Sequence, residues 1–219
     1  GPASATASNE EEDRPIAAAK RPPFDPFRRP VASLQNPPAM PSPATQVIRT
    51  QSGSERAASS AQAIIDAGFS ASPCPFDVTD AKAVRAAIAS AESEAKPIDI
   101  LVNNVGNAGS VDMEQSHFKE SLPENWTKFI DVNLYGVMHC MHAVLPGMCD
   151  RGWGRVITIS SGAGRCGLDI GVSIYGAAKA GSINLMRHVS QEVGKDGVTC
   201  NSIALGLMNT VPEEFAAPI

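Results

Sequence analysis

Three short, largely apolar runs are separated by much longer stretches with helical periodicity: Ile98–Asn104 (IDILVNN), Gly154–Ser161 (GRVITISS) and Val198–Leu205 (VTCNSIAL). That alternation constrains the fold more than any other feature. IDILVNN carries its apolar residues without strict alternation, as a buried parallel strand does. GRVITISS reads as the next buried strand and VTCNSIAL as the last. Strands that alternate with helices pair in parallel through right-handed crossovers, with helices on both sheet faces. The chain therefore reads as α/β, a doubly wound parallel sheet.

The intervening segments complete the pattern. Thr45–Thr50 (TQVIRT) is a short strand candidate, followed by a helix that Gly68 closes. SPCPFDV predicts a further strand ending at Asp77, and a Thr79/Asp80 cap opens the next helix. From Glu124 to Asp150 the apolar spacing predicts one long helix, and from Ser173 another that Gly194 closes. Before residue 46 the composition changes. Eight prolines lie between Arg21 and Ala44, so residues 1–45 read as an extended or disordered leader ahead of a Rossmann-like domain at 46–219. A PxxP-type ligand is the alternative for that leader.

Composition removes several functions. At 219 residues the chain suits one domain with a full core. A net charge of -5 argues against nucleic acid as a partner, which needs a basic patch. No apolar run approaches the roughly 20 residues of a membrane-spanning helix, and no signal-peptide core is evident. Five cysteines without a CxxC pair suit free thiols in a reducing, cytoplasmic setting. His139 and His142 share a helix face without a third ligand nearby, so they read as surface or interface residues and no metal is expected.

The expected strand ends gather small and polar residues: Asp77, then Asn103-Asn104-Val105-Gly106, then Ser160-Ser161-Gly162, then Gly206. Such loops favour these residues anyway. Their concentration at one sheet edge, where open parallel sheets bind ligands, points to a ligand. Tyr175 and Lys179 stand four residues apart on the helix that follows Ser161, hence on one face. A cation beside a phenol favours the phenolate, and a phenol so tuned moves protons near neutral pH. Ser161 could donate to the same substrate oxygen. A trio without a strong nucleophile or metal takes its redox electrons from a cofactor.

These residues carry a resemblance. Asn103–Gly106 (NNVG) resembles the NNAG motif of the short-chain dehydrogenase/reductase family. Asp131–Asn133 (DVN), Ile159–Gly164 (ISSGAG), Tyr175–Lys179 (YGAAK) and Asn201–Gly206 (NSIALG) follow in that family's order, over about three quarters of the chain. GWGRVITISS and QEVGKDGVTCNSIA look most like the 3-oxoacyl and acetoacetyl-thioester reductase branch. The resemblance implies Tyr175 as general acid/base, with Lys179 lowering its pKa and holding the nicotinamide ribose. It implies Ser161 on the substrate carbonyl and Asn133, on a kinked helix, supporting a proton-relay water. For NADP or NAD it implies Asp77 and Val78 at the adenine, Asn103 and Gly106 on the adenosine ribose side, and Gly206 near the nicotinamide amide. The helices around Asp131–Met148 and Tyr175–Val193 resemble those that build the family's dimers and tetramers. The substrate would be a small carbonyl or alcohol.

The pattern also departs from the family. Its opening strand, glycine-rich TGxxxGxG turn and helix should place the turn near Arg28–Gln35, where the chain reads RRPVASLQ. The first βα unit is therefore expected to be replaced by the leader, and the C-terminal end is expected to lack the family's last elements. Leu205 stands where the family has proline. The interval from Ser161 to Tyr175 is one residue longer than is usual in the family, which leaves Ser160 as the alternative to Ser161. Arg49 reads either as a partner for an adenosine 2′-phosphate or as a solvated charge. Beside an oxidoreductase stands a second reading: an inactive or truncated family member that acts as a binding or oligomerising scaffold.

Overall fold

The computed structural model of the chain describes residues 47–49, 54–94, 97–108 and 115–206. The proline-rich leader, RRPVASLQ, and everything beyond Gly206 lie outside the described residues, as does the side chain of Arg49. Among the described residues a sheet of four parallel strands runs in the order β1-β2-β3-β4. The strands are β1 (Val47–Arg49), β2 (Ile100–Asn103), β3 (Gly154–Ser161) and β4 (Val198–Leu205). Registers place Ile48 opposite Leu101, Val102 opposite Ile157, and Thr158 opposite Ser202. If β2 is the family's fourth strand, as NNVG suggests, its neighbour in the 3-2-1-4-5-6 order is the first. Val47–Arg49 takes that place.

Ser72–Val78 was expected to be a strand and is not one. Pro73 and Pro75 have no N–H to donate to a ladder, and the place beside β2 is filled by β1. Other contacts hold the segment down. Cys74 Sγ donates to Ala87 O at 3.7 Å, and the Val78 carbonyl lies 2.9 Å from His139 Nδ1.

The helices follow the sequence signals closely. Helix α1 (Ser54–Asp66) ends where Gly68 turns left-handed at φ 85°, with Gly68 N donating to Ile65 O and Phe69 N to Ile64 O. Helix α2 (Ala81–Glu94) is capped by Asp80, whose Oδ1 accepts from Lys82 N and Ala83 N at 2.7 and 3.1 Å. Those two amides hold the Asp80 carboxyl below its usual range. The expected long helix is present in three parts: α3 (Pro123–Ile130), a π-helical turn (Asp131–Tyr135) and α4 (Gly136–Asp150). Helix α5 (Ser173–Val193) ends as expected with Gly194 at its C-cap, although Gly194 is right-handed there at φ -60°. A 3₁₀ turn carries the chain on to Gly197, which is left-handed at φ 73° and closes against the Gly152 carbonyl.

One core joins these elements. Met148 of α4 packs on Gly154, and Thr158 Oγ1 reaches Met186 Sδ of α5 at 3.3 Å, so both helices cover the same face of β3. Val84 and Ile88 of α2 join Val137, Met141, Val144 and Leu101 in that core. The helices packed on the sheet among the described residues thus lie on one face. On the other, Thr199, Asn201 and Ile203 of β4 are exposed. Replacing Gly197 by Ala puts a side chain into left-handed backbone and onto a carbonyl, at a cost of about 1–2 kcal/mol or more. A lowered urea midpoint is expected; an unchanged midpoint would contradict the role given to this glycine.

Candidate active site

The carboxyl ends of β2 and β3 and the first turns of α5 meet around one lysine. Burial alternates along β3, so Ser160 is buried and Ser161 half-exposed. Ser160 Oγ donates to the Lys179 carbonyl at 3.2 Å, which ties it to α5 and turns it away from any ligand. Ser161 Oγ instead accepts from Ala163 N at 3.2 Å, capping the 3₁₀ turn Gly162–Gly164. Small residues let that turn lie on α5: a Cβ on Gly164 would meet the Lys179 backbone at 2.9 Å, and one on Gly176 the Ala163 carbonyl at 2.8 Å.

Lys179 is 3% exposed, and its ammonium donates to Ile159 O at 3.1 Å and Val105 O at 3.4 Å. An ammonium has three donors, so one remains for a further partner. Gly106 leaves the space it occupies, since a Cβ there would lie 2.6 Å from Nζ. Burial pushes the Lys179 pKa down to about 8. The Nζ atom lies 5.8 Å from the centre of the Tyr175 ring. Tyr175 is half-buried and borders a cleft between α5 and α3.

Asn133 supports this centre from the π-helical turn. It is fully buried; its Oδ1 accepts from Asn107 N at 3.1 Å while its Nδ2 donates to Asn107 O and Phe129 O at 3.0 and 2.9 Å. Side chain and backbone are thus paired like two strands. The extra residue in a π turn aims Asn133 across at the loop after β2. Its Oδ1 also lies 3.3 Å from the Cβ position of Gly106, so it shares that corner with the lysine.

The other expected site residues are dispersed. Asn103 is 1% exposed, and its Nδ2 donates to Thr158 Oγ1 at 3.1 Å inside the sheet; its Oδ1 is buried with no hydrogen-bond partner among the described residues. Asp77 is exposed, and its Oδ1 accepts from Thr79 N and Oγ1, both at 2.8 Å. Val78 is buried against Gly136. Gly206 is exposed at the end of β4, with open space around it. His139 is occupied with the Val78 carbonyl, and no cluster of three metal-binding side chains occurs among the described residues. Burial pushes the Cys140 thiol up to about 12 and Cys200 to about 11, which removes both as nucleophiles near neutral pH. No helix of the described residues is long and apolar enough to cross a membrane.

The sequence profile described as short chain dehydrogenase matches residues 40–216. The chain belongs to the short-chain dehydrogenase family. An acetoacetyl-CoA reductase of Rhizobium meliloti (strain 1021) is 38% identical over 144 residues, which span 64% of this chain and 57% of that relative. The chain thus matches little more than half the length of such relatives. A 3-oxoacyl-[acyl-carrier protein] reductase from Brucella melitensis, solved with bound NAD, superposes with a TM-score of 0.70 at 29% identity, covering 79% of this chain and 65% of its own. A gluconate 5-dehydrogenase from Burkholderia cenocepacia J2315, solved with NADP and tartrate, gives 0.67 at 32% identity, with 75% and 62% covered.

In this family member the strand-end carbonyls that hold the lysine, Val105 O and Ile159 O, had no signal in the sequence, because any residue supplies a carbonyl. Trp126, which lines the cleft beside Tyr175, was hidden among the apolar residues of the expected long helix. The lysine sets a pH test. Its folded pKa of about 8 lies below the unfolded value near 10.4, so the unfolded chain binds more protons between those limits. The burial cost is present in full below pH 8 and disappears as pH rises toward about 10.4. Stability of the wild type relative to Lys179→Met is therefore expected to rise over that window, by at most about 1.4 kcal/mol per pH unit. Parallel pH profiles in urea melts would contradict the burial of the charge.

Proposed function

We propose that the chain carries the proton-handling half of an NAD(P)-dependent oxidoreductase acting on a ketone or secondary alcohol. The observation that supports this best is the buried Lys179 ammonium beside Tyr175, held by two strand-end carbonyls with one donor to spare. Bound nicotinamide would supply or accept the hydride. In reduction Tyr175 gives its phenolic proton to the carbonyl oxygen, and in oxidation it takes that proton back. Ser161, half-exposed at the end of β3, holds the same oxygen. The positive charge of Lys179 favours the negative charge that develops during transfer, and its third donor suits a ribose hydroxyl. Asn133 keeps the loop after β2 in place and so positions Lys179.

For the cofactor, the ribose end fits the residues present: Gly106 clears the space and Lys179 has a donor for it. Asp77, Val78, Asn103 and Gly206 are proposed as the remaining lining through backbone atoms, since the side chains of Val78 and Asn103 are turned inward. NADP and NAD both suit this reading. A small carbonyl or alcohol is the substrate, and homodimers or tetramers would use the exposed Tyr135 of the π-helical turn and Met138 of α4. Free thiols at all five cysteines accord with the cytoplasm.

One observation favours an inactive scaffold as the second reading. β1 holds the first-strand place, yet the four residues leading to α1 (TQSG) contain one glycine, where a phosphate-binding turn uses three. Titration with NADPH and NADH decides between the two. Saturable binding supports the oxidoreductase, and its absence at millimolar cofactor supports the scaffold. Given binding, Tyr175→Phe is expected to cut kcat for ketone reduction by about 10²–10⁴-fold with cofactor affinity unchanged. A near-wild-type kcat would remove Tyr175 from the chemistry.

A further inference from the structure

The cleft beside Tyr175 has a volume of about 270 Å³ and lies between α3 and the loop entering α5. Its apolar walls are Trp126, Phe129, Leu122, Val172 and Ile174. They are already in position. Phe118 stacks on Trp126 with ring centres 5.4 Å apart, Trp126 Nε1 donates to Ser121 Oγ at 2.9 Å, and Ser121 Oγ donates to Phe118 O at 2.8 Å. Across the mouth Ser116 N donates to Gly171 O at 3.2 Å. Gly171 is left-handed at φ 69°, and a Cβ there would press on the Ser116 backbone at 3.1 Å.

The chemistry of the walls limits what can enter. No lysine or arginine lines the cleft among the described residues. Besides Tyr175 its one ionisable group is Glu120, an exposed carboxylate with Lys119 Nζ 3.5 Å away. A carboxylate or phosphate on the ligand would meet no counter-charge there and would lose its water. The single N–H of Trp126 is already engaged. The remaining polar walls, Ser116, Ser121 and Asn125, are uncharged, so the cleft suits an uncharged group that also covers its apolar residues.

We propose that this cleft receives an uncharged aliphatic chain attached to the reacting carbon, so that the substrates are short-chain neutral ketones and secondary alcohols, or the acyl ends of neutral esters. At about 30 Å³ for a water-sized group, the space suits a chain of roughly four to eight carbons. The inference rests on the role proposed for Tyr175, which places the reacting carbon at the rim.

The chain has two tryptophans. Trp153 stands at the opposite end of β3, with the Arg155 guanidinium 4.5 Å over its ring, so Trp153→Phe leaves Trp126 as the sole reporter. Titration of that variant with 2-alkanols from 2-butanol to 2-octanol is expected to give a saturable blue shift, with affinity rising about fourfold per added methylene until the cleft is full. The anion 3-hydroxybutyrate is expected to give no saturable shift. If Trp153→Phe does not fold, the unsubstituted chain serves, with Trp153 as a constant background. A flat chain-length profile, or equal binding of 3-hydroxybutyrate, overturns the proposal. Turnover separates it from the reading on which it rests. Chain-length-dependent binding without NADPH oxidation of any 2-alkanone keeps the cleft and removes the oxidoreductase. Oxidation with a kcat/KM that ignores chain length, in the wild type and in Trp126→Ala, removes the cleft alone.

Discussion

The organisation of the site depends on one buried charge. Lys179 places an ammonium against two carbonyls, one in β3 and one just beyond β2, and so pins α5 to the carboxyl ends of adjacent parallel strands. Burying a charge is costly unless it is hydrogen-bonded. The surroundings are arranged to meet that cost. Gly106 has no side chain, Asn133 fixes the neighbouring loop through Asn107, and Ser160 and Ser182 take up the lysine's own carbonyl at 3.2 and 2.8 Å. The π-helical turn belongs to the same arrangement, because it aims Asn133 at that loop.

Much of this was legible in the sequence, and for physical reasons. The helical spacing of Tyr175 and Lys179 put them on one face, and the largely apolar runs at Ile98–Asn104 and Gly154–Ser161 marked parallel strands. Gly68 and Asp80 behaved as a helix stop and a cap because their roles are local. The failures are non-local. SPCPFDV has strand-like residues but pairs with no strand among the described residues, and its two prolines could not have donated to one. Gly194 does end α5, yet the left-handed turn falls at Gly197, one 3₁₀ turn later and against the Gly152 carbonyl. The carbonyls that hold Lys179 carry no letter code at all. The two serines at the end of β3 separate only through the pleat, which buries Ser160 and leaves Ser161 half-exposed.

The two ends of the site are built to different standards. At one end stand a buried cation, a supporting asparagine and the cleft beside Tyr175. At the other end a three-residue strand, Val47–Arg49, stands beside β2 in the place the doubly wound order gives to the first strand. That strand keeps the edge of β2 paired, which an open parallel sheet requires. The four residues after it in the sequence (TQSG) contain a single glycine.

The central claim is that Lys179 is a desolvated ammonium held by strand-end carbonyls. Selective labelling of lysine side chains, with Lys179 assigned by difference from Lys179→Met, lets its ε-carbon be followed by NMR as pH rises. A titration midpoint near 8, well apart from the other lysines, is expected. A midpoint near 10.4, that of a solvated lysine, would contradict it.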